Sequence, residues 1–519
     1  MHPRLVSSRR LFAALFALLT SATYAASSVV NTTNDTVNGS DGVTSLREAI
    51  IAANSGGGTI TFDATTFAPA GGPYTIQLTS VLPNLAANIT ITGPGANVLT
   101  VNGEGFNPPT PYRIFNVTSG STVGISGLTI SNGRAAGTNG ATGTVGQGGA
   151  ILNAGSLTLT ECAFTSNTAQ GGSGSGTGAT GGKGQGGAIF STGPLLTVQR
   201  CTFTSNSVTG GGGGNGAFIN SSTHGPFEPG GNAADGQGGA IYANAPTGVT
   251  ITNSTFYSNS ATGGTGGGSG FSNSPSNDGT GGAGGIGDGG AIYSAQALTV
   301  TSCTIAGNSA NGGAGGTNNS FNNVGPGGNG RGGGIFSGGT VTSGNTLVAS
   351  NSATPGNSTN PGTALGPDVF GTFSSNNFNL IGILTAAATG FGGAADQTGT
   401  SGTPIDAKLD AQGLQNNGGS LTTIRLRKGS AAVDKGKDLA GLGIDETGAT
   451  RPKDLADATY PNAAGGDGSD IGAFEAQSLP NDVPTVNDQQ FNGSVGTAFS
   501  NVQVQANDGD GDTLTYSVE

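Results

Sequence analysis

Acid–base chemistry needs carboxylates that can meet, and the middle of this chain holds few. Between residues 133 and 360 the only acids are Glu161, Glu228, Asp235, Asp278 and Asp288. They are scattered over different stretches, where hydrolysis would want two facing carboxyls, one acid and one base. Past the export-type leader described below, His224 is the only histidine. The bases Arg113, Arg134, Lys183, Arg200 and Arg331 stand in sequence without an acid cluster beside them. One place does gather carboxylates: Asp508, Asp510 and Asp512 alternate near the C-terminus, the hard oxygen donors that calcium prefers. Thr513 replaces the glycine that an EF-hand loop needs, so solvated turn carboxylates are the competing reading. The residue types therefore favour binding over catalysis, with calcium as the one cofactor expected.

What positions these residues is a repeat. Gly148-Gly149-Ala150-Ile151 returns at Gly186, Gly238 and Gly289, and as Gly332-Gly333-Gly334-Ile335. Each Ile is followed 16 to 18 residues later by an Asn: Asn167, Asn206, Asn259, Asn308 and Asn351. Three residues before each Asn stands Phe164, Phe203, Phe256, Ile305 or Val348. Between these landmarks run alternating pairs such as Leu157/Leu159 and Val249/Ile251, the period of half-buried strands. A unit of two or three short strands cannot bury its apolar face alone, but it can by stacking on copies of itself. The fold expected is all-β: a parallel β-helix, equivalent residues lying about 4.8 Å apart along the axis. About ten coils would make a rod of roughly 50 Å. The Asn column would pair amide to amide at a turn. Cys162, Cys201 and Cys303 share one phase with Ser254, which predicts free, buried thiols; a Cys162–Cys201 disulfide between adjacent coils is the alternative, though in-register parallel strands aim the side chains poorly for it. Glu161 and Arg200 share the phase before it, as an outward ion pair. Asp288 shares its phase with Gln147, Gln185, Gln237 and Arg331, so no carboxylate stacks on it. The glycine-rich remainders, such as 168–185 and 207–237, read as corner loops whose length can vary without disturbing the stack.

The side chains after the repeated Ile are Leu152, Phe190, Tyr242, Tyr293 and Phe336. If Ile points inward, these point outward, and Phe190, Tyr242, Tyr293 and Phe336 form an aromatic stripe. It could contact cell-surface glycans or proteins, or it could pack under the glycine-rich loops.

Composition excludes other classes. The chain has 101 glycines in 519 residues, 9% charged residues and a net charge of −12. Glycine at that level opposes a helical bundle, its irregular spacing opposes collagen, and the negative charge opposes a nucleic-acid partner. Residues 361–519 carry 19 acids and 8 bases, whereas 1–360 are nearly neutral. Residues 1–25 read as a signal peptide: Arg4, Arg9 and Arg10, then the apolar Leu11 to Leu19, then Thr23-Tyr24-Ala25 as a cleavage site. Export to the extracellular space or the bacterial surface is expected, with any anchor lying beyond Glu519. The divisions expected after the leader are a cap at 26–58, the β-helix at 59–360, its C-terminal segment at 361–477, a linker at 478–484 and a partial sandwich domain at 485–519.

The paired Gly-Gly-Ala-Ile and Phe-x-x-Asn landmarks resemble the repeats of polymorphic outer-membrane proteins, which implies a right-handed, pectin-lyase-like β-helix at a bacterial surface. Thr44-Ser45-Leu46-Arg47-Glu48-Ala49-Ile50 resembles the Cys-Ser-Leu-Arg-Glu-Ala segment of secreted β-helix proteins, Thr replacing Cys. Physically it is a capping box, Ser45 with Glu48, opening a short helix to about Asn54 that can cover the rod's end. Asn379-Leu380-Ile381-Gly382, Asn416-Asn417-Gly418-Gly419, Gly429–Asp434 and Asp470–Glu475 resemble the tail of β-helix proteins with varied C-terminal anchors; Thr423-Ile424 stands where that family has Thr-His. Residues 485–519 look like the first half of a cadherin-like or immunoglobulin-like repeat, too short for a sandwich of about 100 residues. His224-Gly225 matches a polygalacturonase dipeptide, but the accompanying Asp-Asp and Arg-Ile-Lys elements are missing. The function expected is adhesion or surface structure. The rivals are a secreted polysaccharide lyase or glycoside hydrolase, and a calcium-dependent spacer within a longer surface protein.

Overall fold

The computed structural model describes residues 26–103, 112–217, 228–270, 279–317, 324–455, 457–478, 485–486 and 506–507. The leader, His224, Asp278 and Asp508, Asp510 and Asp512 lie outside the described residues.

The chain winds as a right-handed parallel β-helix. The repeat phases read from the sequence are the registers of its sheets. Ile151 pairs with Ile189, then Ile241, Ile292 and Ile335. Phe164 pairs with Phe203, then Phe256, Ile305 and Val348. The Phe164, Phe203 and Phe256 rings stack at centroid distances of 4.7 and 4.6 Å, within the interior. Two corners are sharp because residues before Cys162 and before Asn167 take left-handed backbone: Glu161, Arg200 and Ser302 at the first, Ser166, Ser205 and Ser258 at the second. A third corner uses the first glycine of each Gly-Gly pair. Gly186 has φ +64°, and a Cβ there would lie 2.1 Å from the Ile189 carbonyl oxygen.

The N-terminal end is covered as expected. Helix Leu46–Ala53 starts at a Ser45/Glu48 capping box and turns Leu46, Ala49, Ile50 and Ala53 onto the first coil. Arg47 holds Asp35 with two hydrogen bonds beneath it. The three cysteines are free and buried in one phase; the Cys162 N–H donates to Cys201 Sγ and the Cys201 N–H to Ser254 Oγ. Burial pushes the Cys303 thiol up to about 12.

The glycine-rich remainders are not corner loops, and their described parts correct that expectation. They run outward and back as a backbone-bonded slab beside the coils. Gly264 and Gly267 donate to the carbonyls of Ala234 and Gly231; Gly282 and Gly285 donate to Gly267 and Gly264; Gly313 and Gly316 donate to Gly285 and Gly282. The donors recur every third residue, the period of a polyproline-II chain. A Cβ at Gly313 would meet the Gly264 oxygen at 1.8 Å, so only glycine fits these inner positions. The reading failed because glycine has no side chain to advertise burial.

The last paired strand of the coil stack is Gln397–Thr398. Residues 405–477 then fold back along the outside of the sheet that carries the phenylalanine column. Leu426, Ala432, Val433, Tyr460 and Ile471 pack there on Leu347, Ala349 and Leu380. Thr485–Val486 pairs antiparallel with Ala506–Asn507.

Candidate functional site

The aromatic stripe is a continuous stack. Phe190, Tyr242, Tyr293, Phe336 and Phe370 follow one another at centroid distances of 5.0, 4.9, 4.9 and 5.1 Å, with planes within 17° of parallel. The coil rise sets this spacing: one outward side chain per coil in perfect register must meet the next at the strand separation. The consequence is chemical. Each inner ring has both faces occupied by neighbours, so the column offers a partner ring edges rather than flat platforms. Leu152 continues it at one end by pairing with Phe190.

A polar column runs beside it, across the Gly-Gly-Ala turn. The Gln147 amide donates to Gln185, and Gln185 donates to Gln237, at 2.9 and 3.0 Å. Gln237 bonds Asp288, and Arg331 closes the row with two hydrogen bonds to Asp288 at 2.7 and 2.8 Å. The Arg331 guanidinium also lies over the Phe336 and Phe370 rings, 4.8 and 5.4 Å from their centroids. Asp288 is 1% exposed; burial raises its pKa, and Arg331 opposes the rise. Burial opposes the charge on Arg331 in turn, but Asp288 outweighs it and the guanidinium pKa is raised. Lys183 pairs with Asp235 at 3.0 Å on the same edge. Burial carries the Tyr293 hydroxyl up to about 12.

The Glu161–Arg200 ion pair forms as the shared phase predicts, and Lys183 and Arg331 each meet one acid, Asp235 and Asp288. Each pair joins adjacent coils. The pairing is one acid to one base, with no acid cluster among the described residues beside any of the three. Among the described residues no three His, Cys, Asp or Glu side chains gather closely enough to hold a metal ion.

A second amide column lies inside the far corner. Asn167 donates from its backbone N–H and its side-chain amide to Asn206 Oδ1, and the same pair of bonds repeats to Asn259, Asn308 and Asn351 at 2.8 to 3.0 Å. The second amide proton of Asn206 reaches the Phe164 carbonyl, that of Asn259 the Phe203 carbonyl and that of Asn308 the Phe256 carbonyl. The column ends on a carboxylate: Asn351 makes both bonds to Asp368, whose carboxyl burial raises to about 6. The column was legible in the sequence; its acidic end was not, because Asp368 sits one residue before Val369, in the phase of the repeated Ala.

The buried acids of the C-terminal segment were also missed. Glu446 inserts between two threonines of the rod: Thr202 Oγ1 and the Thr255 N–H donate to Oε1, and Thr255 Oγ1 bonds Oε2. Burial raises its carboxyl to about 8. Arg451 and Glu475 form a wholly buried pair at 2.8 Å. The Asp470 N–H donates to Glu475 and the Asp434 N–H to Asp470, which joins the stretches 429–434 and 470–475. Burial, with Glu475 nearby, raises Asp470 to about 8.

No protein-family model matches the chain. No curated protein matches it. Among solved structures, a crystal structure of pectate lyase Pel9A matches 86% of this chain and 96% of its own, at 14% identity and a TM-score of 0.29. That score is too low to carry any conclusion about this chain, and the parallel β-helix rests on the strand registers themselves.

Proposed function

We propose that the chain is an exported, surface-associated β-helix that serves adhesion or surface structure rather than catalysis. One observation carries the reading. The carboxylates and bases that converge beside the aromatic column are consumed by one another, and Asp288 is buried under the bidentate grip of Arg331. General acid–base catalysis needs a group that can reach substrate and change protonation near working pH. A column of paired charges and mutually stacked rings supplies rigidity and a long surface instead. The leader-like residues 1–25 support export, and the resemblance to outer-membrane repeats supports the surface location. A calcium role for Asp508, Asp510 and Asp512 remains a separate proposal, tested by thermal stabilisation of the chain in millimolar calcium.

The decisive experiment is an assay for new reducing ends and unsaturated uronates on plant and bacterial glycans, run beside an assay of attachment to cells. Attachment without turnover is expected. Turnover that Asp288→Asn or Asp235→Asn abolishes would establish the rival lyase or hydrolase.

A further inference from the structure

The rod has two broad outer faces with threonines in register, and they are treated differently. On the phenylalanine sheet the threonines hold a covering chain. Thr202 and Thr255 bind Glu446, Thr202 Oγ1 also lies 2.9 Å from the Thr422 carbonyl oxygen, and Thr304 Oγ1 accepts the Ala473 N–H. This protein thus already uses a threonine column, Thr202, Thr255 and Thr304 in register, to hold polar groups of a segment packed on its surface.

The other face carries a longer column. Thr158 pairs with Thr197, then Thr250, Thr299 and Thr342, and the column ends at Ser374. Upstream it continues through Gly124 to Thr90. Thr90, Thr158, Thr197, Thr250 and Thr299 alternate with buried Leu, Val or Ile, and Thr342 and Ser374 follow buried Val341 and Phe373, so the column points outward. Thr90, Thr158 and Ser374 are exposed and the rest are half-buried by their column neighbours. Among the described residues none of the hydroxyls of Thr158, Thr197, Thr250, Thr299 and Thr342 has a hydrogen-bond partner. The ten-residue strand Ile335–Gly344 carries both Phe336 and Thr342, so this column and the aromatic column belong to one sheet.

The face is also uncharged. Residues 186–199, 236–260, 289–310 and 332–366 contain no Asp, Glu, Lys or Arg. The nearest charges stand at its borders, already paired as Arg331–Asp288 and Arg200–Glu161. A charged partner would lose hydration against such a surface and gain no counter-charge. A second copy of this face would bring the same hydroxyls and little apolar area to bury. The matching chemistry is an uncharged polymer that presents hydroxyls and C–H groups in a short axial repeat, of the same size as the coil rise of about 4.8 Å.

We infer that the Thr158–Thr342 face binds a neutral polysaccharide, laid along the rod with about one sugar per coil, threonine hydroxyls meeting sugar hydroxyls and threonine methyls meeting ring C–H groups. This rests on the adhesion reading and names its partner class. The stacked rings border the chain with their edges, since their faces are occupied.

The test is retention of the full chain on insoluble cellulose, chitin and β-1,3-glucan, with pectate and alginate gels as the anionic arm. Each is measured in dilute buffer and in about 1 M salt, where the Debye length is only about 3 Å. Retention on at least one neutral glycan, unchanged by salt, is expected. Thr197→Glu with Thr250→Glu should weaken it at least tenfold, while Ser352→Glu on another face leaves it unchanged. Far-ultraviolet circular dichroism checks that the variants keep their strands, and the milder Thr197→Val with Thr250→Val removes only hydroxyls and should weaken binding severalfold. Failure to bind any neutral glycan, retention only on the anionic gels, loss in salt, or indifference to both double variants overturns the inference. Cell attachment that survives Thr197→Glu with Thr250→Glu would sink this inference alone; loss of attachment by the unmodified chain would sink the adhesion reading beneath it.

Discussion

The coil stack and the segment 405–477 both bury polar side chains, by opposite means. In the coils the buried groups that repeat are amides, each with a donor and an acceptor, so one column satisfies itself from Asn167 to Asn351 and needs a carboxylate, Asp368, only at its end. In the later segment they are carboxyls, which accept but do not donate when ionised, and the fully buried Arg451 meets only one of them at salt-bridge distance. Glu446 and Asp470 are held by threonine hydroxyls and backbone N–H groups, and burial outweighs these bonds and raises both carboxyls. The lesson is that a repeat can bury polarity with neutral groups because each copy brings the next one's partner. A single covering chain has no such copy and is left sensitive to pH.

The largest way to break this contrast is through the glycine slab that locks the coils from the side. Gly313→Ala places a Cβ 1.8 Å from a backbone oxygen that cannot move without its row. Thermal unfolding should show a loss above about 3 kcal/mol, the upper range of overpacking costs. Gly441→Ala in the covering segment has open space and φ +64° and should cost only about 1 to 2 kcal/mol.

Next is the amide column. Asn259→Ala leaves the Asn206 N–H and amide without their acceptor in a dry interior, an expected loss of about 3 kcal/mol in denaturant unfolding.

The covering segment is sharpened by pH. Glu446 binds its proton more tightly folded, at about 8, than at its ordinary value of 4.5. The folded state therefore holds more protons between those values, and stability falls as pH rises through that window. Asp470, raised to about 8, adds in the same direction. Proteolysis of 405–477 should become faster from pH 5 to pH 8. Glu446→Gln should flatten the profile, because the amide keeps both acceptor contacts and donates to Thr255 without ionising.

Thiol reactivity gives a smaller effect. The three buried cysteines, Cys201 and Cys303 raised by burial, should resist alkylation at pH 8 until the coils unfold. Rapid labelling of the native chain would contradict the interior column. The smallest effect is at the rim: Glu161→Gln removes a half-exposed partner of Arg200 and should change stability by under about 1 kcal/mol.

Columns were legible in the sequence wherever side chains repeat. The intervals between Ile, Phe, Cys and Asn, and the phase shared by Gln185, Gln237, Asp288 and Arg331, are the observed registers. The slab was not legible by the same route, although Gly263-Gly264-Thr265-Gly266-Gly267 and Gly312-Gly313-Ala314-Gly315-Gly316 display its period of three. Residues chosen for having no side chain look alike whether they line an interior or a loose loop. Asp368 escaped because it occupies the phase of the repeated Ala, and Glu446 because it meets its partners through the fold-back of a distant segment, 191 residues along the chain from Thr255.

By itself the sequence determined which residues share a column, because a chain that repeats its side chains at fixed intervals satisfies every copy at once by stacking. Only the tertiary structure decided what each column faces: a neighbouring ring, a covering carboxyl, a glycine slab or open solvent. Those neighbours come from other coils and from the returning C-terminal segment, and no spacing within one repeat contains them.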